Sequence, residues 1–357
     1  MAMTLSEFCR AIPKVELHCH LLGTVRHATF KALAHAAKAP LSDAEIDAFY
    51  LRGEKPVGVL RALRALDAHL LRSPDDLHRI TYEYLQDAAA HNVRYAEFFW
   101  NPTGTAVQSK IPYVLALEGI RRAIADARSD HGITARLVPA IDREASPRTA
   151  RQMVRGVLDN RCEEVVGIGI DYSEIDHPPE LFIDAYALAR QGGLKATAHA
   201  GEFGMPWSNV KTAVDLLKVD RIDHGYTMVC APDADRGAID GLVERITARG
   251  IVFTVVPTNS YYLRTLPPPR WAADHPIRRM PALGLRIHPN TDDPTLHHVT
   301  PTQAWQKMVE DFGFQLADLR DFMLNGLDAA WIDDATRRTW KQEHLAAFDA
   351  LAAQRPS

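Results

Sequence analysis

The chain has 357 residues, 46% of them hydrophobic and 24% charged, and 41 Lys+Arg stand against 45 Asp+Glu for a formal net charge of -4. That balance leaves room for a large core and gives no basic excess for nucleic acid or an anionic membrane, so neither is expected as a partner. Cys9, Cys19, Cys162 and Cys230 are too few and too scattered for a disulfide scaffold, and no apolar run reaches membrane-spanning length, so a cytoplasmic protein without a signal peptide is expected.

Eight short apolar or β-branched runs recur along the chain, each followed by a turn and a stretch with helical spacing. Such runs fit parallel strands buried on both faces, and eight repeats predict a (β/α)8 barrel of the α/β class. The first run, 15–21, contains His18-Cys19-His20. Alternation along a strand puts both imidazoles on one face and Cys19 on the other. With 16 histidines in the chain, chance alone supplies on the order of one such pair, so two packed barrel histidines are the competing reading.

Residues 24–93 are too long for one crossover and predict extra helices inserted after strand 1. One lies at 57–71, where Val57, Leu60, Leu63, Leu66 and Leu70 recur at helical spacing. The stripe reads as core packing, with a lid over the barrel mouth as the alternative. A further helix opens after Ser73-Pro74 and spans 75–91. Strand 2 (94–100), a helix at 112–129, strand 3 (133–141) and strand 4 (165–171) follow. Strand 5 (194–202) ends in His199-Ala-Gly-Glu202, and strand 6 (221–225) holds Asp223-His224. Strand 7 (251–257) precedes a Pro267-Pro268-Pro269 stretch that reads as a stiff loop. Strand 8 (286–291) runs into Asp292-Asp293-Pro294. No repeat, linker or low-complexity tract divides the chain, so one domain over 1–357 is expected.

These polar groups fall where barrel strands end, which is where barrel enzymes build their sites. Three neutral imidazoles and a carboxylate suit a borderline divalent ion such as zinc with a position left for water, and the ion brings that water to a pKa of about 7. His224 is placed to orient or deprotonate the water, and Glu202 to deliver a proton to the substrate. Against this stand milder roles: Glu202 orienting a ligand histidine, and Asp293 capping a helix that begins at Pro294.

Lys14-Val-Glu-Leu-His18-Cys19-His20, His199-Ala-Gly-Glu202, Asp223-His224-Gly225-Tyr226 and Asn290-Thr-Asp292-Asp293-Pro294 resemble the adenosine deaminase family of metal-dependent hydrolases, in order and spacing, from about residue 11 to 325. The resemblance implies one zinc ion held by His18, His20, His199 and Asp292. It implies that Glu202 protonates the purine ring nitrogen beside the attacked carbon, that His224 assists the hydroxide, and that Asp293 hydrogen-bonds the imidazole side of the purine. Hydroxide adds to C6, ammonia leaves and a 6-oxopurine results. Two-metal relatives carry a lysine at the end of strand 4, which is absent here, and the HxE…PCxxC zinc-deaminase pattern is absent too.

Three departures bear on the substrate. Leu22 stands where adenosine deaminases usually have an Asp that contacts ribose. Asp171-Tyr172-Ser173-Glu174, with Pro178-Pro179 beyond it, is similar to the adenine deaminase branch. Val256-Pro257-Thr258-Asn259-Ser260-Tyr261-Tyr262 replaces a Cys-Pro-x-Ser-Asn pattern. Adenosine or deoxyadenosine is the first expectation, with adenine or a modified aminopurine as alternatives. A barrel that binds metal without turnover is the remaining rival, and the presence of Glu202 counts against it.

Overall fold

The computed structural model describes residues 3–51, 59–259 and 271–355. Val57, the three prolines at 267–269, and Ser260, Tyr261 and Tyr262 lie outside the described residues.

Eight parallel strands run in chain order around a barrel: β1 (Lys14–Glu16), β2 (Val93–Trp100), β3 (Thr134–Asp142), β4 (Gly167–Asp171), β5 (Lys195–Ala200), β6 (Arg221–His224), β7 (Val252–Val255) and β8 (Arg286–Pro289). Their side chains are buried on both faces, as in Gly167–Asp171 of β4 and Arg221–His224 of β6, where every consecutive residue is buried. That is why each strand reads as a near-continuous apolar run rather than an alternation.

The first strand is shorter than its sequence suggests. From Leu17 onward the regular ladder gives way to side-chain bonds and to isolated parallel bridges, Cys19 with Asp292 and His20 with Phe99 of β2. Leu17 N–H donates to Asn290 Oδ1 at 2.8 Å, and Thr291 N–H donates to Glu16 Oε1 at 2.9 Å. Asp292 then bridges the seam, its N–H on His18 O at 3.0 Å and its carbonyl accepting from His20 N–H at 2.8 Å. The run predicted as 15–21 therefore leaves the ladder after Glu16, and a 3-10 turn begins at Leu21. β8 and β1 are joined by these side-chain and turn contacts.

The insertion after β1 carries helices at His27–Ala37, Asp43–Phe49, Val59–Ala65 and Pro74–Ala90. Ser42 and Ser73 open two of them with reciprocal capping boxes. Helix Val59–Ala65 continues into a π-helical turn, Leu66–Leu70. Leu63, Leu66 and Leu70 of the predicted stripe are buried, whereas Leu60 is half-buried. Core packing accounts for the buried leucines, and Leu60 and Leu63 also line a cavity over the barrel mouth. Arg64 anchors this helix to the barrel with bonds of 2.6 and 2.9 Å to Asp142 and 2.8 Å to Glu144, and its guanidinium lies 3.7 Å from the Tyr172 ring centre. No helix among the described residues is long and apolar enough to cross a membrane.

Candidate metal centre and active site

His18, His20, His199 and Asp292 converge at the C-terminal mouth, all buried, with their ligand atoms within 4.8 Å of one another. His20 Nε2 lies 3.1 Å from His199 Nε2 and 3.2 Å from Asp292 Oδ1, and His18 Nε2 lies 3.5 Å from the same oxygen. The other ring nitrogen of each histidine faces an acceptor. His18 Nδ1 meets the Thr254 carbonyl at 3.2 Å, His20 Nδ1 meets Asp171 Oδ2 at 3.5 Å, and His199 Nδ1 meets Asp223 Oδ2 at 3.2 Å. A carbonyl or carboxylate only accepts, so these contacts put the proton on Nδ1 and leave three Nε2 lone pairs aimed at one point. The 3.1 Å approach of His20 and His199 needs positive charge between the two nitrogens, either a proton on His20 or a bound cation.

The electrostatics call for the same cation. Burial opposes a charge on His20, yet Asp171 and Asp292 outweigh it and hold its pKa well above the usual 6.5. Burial lowers His199 to about 4, which keeps it a neutral donor. Burial also opposes ionisation of Asp292, but hydrogen bonding to His18 and His20 prevails and keeps it ionised. Three nitrogens and one carboxylate oxygen form the donor set that zinc prefers, so the residues fit the ion.

Glu202 and His224 stand beside this cluster, His224 Nε2 at 3.4 Å from Glu202 Oε2. Burial, then repulsion from Asp292, pushes the Glu202 carboxyl well above the usual range, which suits a group that must carry a proton at neutral pH. Its Oε1 accepts from Asn259 Nδ2 at 2.9 Å. His224 is kept neutral, its pKa lowered first by burial and then by His18 and His199. Its backbone is left-handed, with φ at 71°, a strained conformation at a strand end that recurs at Asp292 with φ at 65°.

A cavity of about 270 Å³ opens in front of these groups. Asp293, His297, Tyr172 and Phe203 line it together with Leu60 and Leu63 of the insertion. Asp293 occupies the N-cap position of Pro294–His297 but makes no side-chain capping bond, so capping does not account for it. Its carboxylate packs against Gly23, where an added Cβ would fall 1.9 Å from Oδ1. Leu22 is 6% exposed and belongs to the hydrophobic core. It is not among the described residues lining the cavity.

Several neighbours of the site lie in the quoted motifs or strands without an individual role. Asp171, Asp223 and Thr254 act behind the histidines, and Glu174 and Asn259 contact Glu202 or its backbone. The motifs single out Asp171, Glu174, Asp223 and Asn259, whereas Thr254 is only one residue of an apolar strand.

A model of the adenosine deaminase family matches residues 13–345. The chain belongs to the adenosine deaminase family. Within that family it is 32% identical over 348 residues to an adenine deaminase of Cupriavidus taiwanensis, covering 97% of this chain and 93% of that one. Among solved structures, an amidohydrolase from Burkholderia ambifaria with bound zinc is 61% identical, with a TM-score of 0.94 over 99% of this chain and 95% of that one. An adenine deaminase from Arthrobacter aurescens superposes with a TM-score of 0.83 at 28% identity, covering 94% of this chain and 99% of that one. This member of the adenosine deaminase family is a metal-dependent aminohydrolase, and its ion is a divalent metal such as zinc.

Proposed function

We propose that this aminohydrolase acts on the free base adenine, with water giving hypoxanthine and ammonia. The observation that carries the reading is full-length similarity to proteins named adenine deaminases, at 32% and 31% identity over 97% and 99% of the chain in two Cupriavidus species. The sequence put nucleosides first on its four motifs, and this similarity reverses that order.

A bound divalent ion supplies the Lewis acidity that makes water nucleophilic at neutral pH. The ion's holders are His18, His20, His199 and Asp292. Glu202, kept protonated by its surroundings, donates to the ring nitrogen next to the carbon under attack. His224 orients the attacking water and takes its proton, and Asp293 accepts a hydrogen bond from the imidazole side of the purine.

Ammonia release by the zinc-loaded protein tests this against adenine, adenosine, deoxyadenosine and N6-methyladenine. The kcat/KM for adenine should exceed that for either nucleoside by about 10- to 100-fold, because each ribose hydroxyl buried without a partner costs about 1–3 kcal/mol. Equal or better turnover of adenosine would overturn the choice of substrate while leaving the chemistry intact.

A further inference from the structure

We propose that Glu174 is a positioning residue for the reaction, its carboxylate gripping the backbone of the turn that carries Glu202 and thereby setting where the Glu202 carboxyl meets the base. The inference rests on the reading of Glu202 as proton donor.

Glu174 follows β4, is 1% exposed, and accepts three hydrogen bonds. Its Oε1 takes Gly201 N–H at 2.9 Å and Asn209 Nδ2 at 2.8 Å, and its Oε2 takes Glu202 N–H at 3.1 Å. β5 ends at Ala200, so the two backbone donors that follow are buried beyond the ladder and need an acceptor. A carboxylate is an acceptor-only group with two oxygens, which suits three converging donors. The turn has little freedom on its other side. Gly201 is left-handed at φ 70°, and a Cβ there would lie 2.5 Å from Thr227 Oγ1 and 2.9 Å from Val210 Cγ2. Glu202 is thus held at both ends: Glu174 binds its backbone nitrogen, Asn259 binds Oε1, and Oε2 is left beside His224.

The substitution Glu174→Gln is selective. Its amide oxygen can keep Gly201 and Asn209, but its NH2 group would face the Glu202 N–H, donor against donor, so the bond to Glu202 is the one severed. A misplacement of about 1 Å at a reacting group costs up to about 10²-fold in rate. We expect Glu174→Gln to lower kcat on adenine by 10- to 100-fold, with KM within about twofold and one zinc retained per chain. Asn209→Ala leaves both backbone bonds in place and should keep kcat within about twofold. Loss of zinc or a parallel rise in KM in Glu174→Gln, or an equal kcat loss in Asn209→Ala, would mean that the cluster is only structural and would overturn the proposal, as would a wild-type kcat. Should Glu174→Gln not fold, Glu174→Asp, which draws the carboxylate back by one methylene, is judged by the same kcat, KM and zinc criteria. Glu202→Gln is measured alongside. If it is inactive while Glu174→Gln is not, the positioning role falls alone; if Glu202→Gln turns over normally, the proton-donor reading falls, and the proposal with it.

Discussion

Asp223 serves two metal-facing histidines at once. Its Oδ2 lies 3.2 Å from His199 Nδ1, while its Oδ1 accepts from Thr254 Oγ1 at 2.7 Å, and that hydroxyl is 3.1 Å from His18 Nδ1. The carboxylate therefore fixes the tautomer and ring plane of one donor directly and of the other through Thr254. It does not line the cavity, so its effect on the ion separates from any effect on substrate. Replacing Asp223 by Asn should weaken zinc binding by about 10- to 100-fold, measured by chelator competition. Unchanged affinity would show that the ring orientations are set without it. The histidines themselves were legible because an HxH pair in a strand leaves few readings, whereas Asp223 was quoted in its motif without a role. Its task depends on β5, β6 and β7 lying side by side, which no local pattern announces.

At the scale of elements, helix Val59–Ala65 is tied to the barrel by a single residue reaching three partners. Arg64 bonds Asp142 at the end of β3 and Glu144 just after it, and covers the Tyr172 ring beyond β4. The same helix places Leu60 and Leu63 over the cavity, so its anchoring and the shape of the binding space are linked. Arg64→Ala should raise KM for the base several-fold, leave kcat less affected, and increase hydrogen exchange across residues 59–70, because a short helix that loses its polar anchor to the barrel opens at lower cost. Unaltered exchange would separate this arginine from the helix's stability. The barrel was readable from eight apolar runs because parallel strands are buried on both sides. The early end of β1 was not, since the ladder there gives way to side-chain bonds, 273 residues away for Leu17 and 275 for Glu16, and to isolated bridges at Cys19 and His20. Glu174 stands out in the Asp171–Glu174 segment, but its task is not readable there, because only the neighbouring β5 turn reveals its three donors.

For the whole molecule, the metal site and the closure of the barrel are one structure. Two donors follow β1, one lies in β5 and one follows β8, so an ion bound there spans the seam that Glu16, Asn290 and the Asp292 backbone hold without a regular ladder. Ligand at about 1,000 times its Kd stabilises a native state by about 4 kcal/mol, and in a chain of this size each kcal/mol moves Tm by roughly 2 °C. Removing zinc with a chelator should lower Tm by several degrees and speed hydrogen exchange first at β1 and β8. A uniform loss of protection would place the weakness elsewhere. This arrangement also orders events during synthesis. A nascent chain presents His18, His20 and His199 well before Asp292 has been made, and the four-donor cage cannot exist until the last strand has docked beside the first. Full coordination of the ion is thus a chemical signature of a barrel whose last strand has met its first.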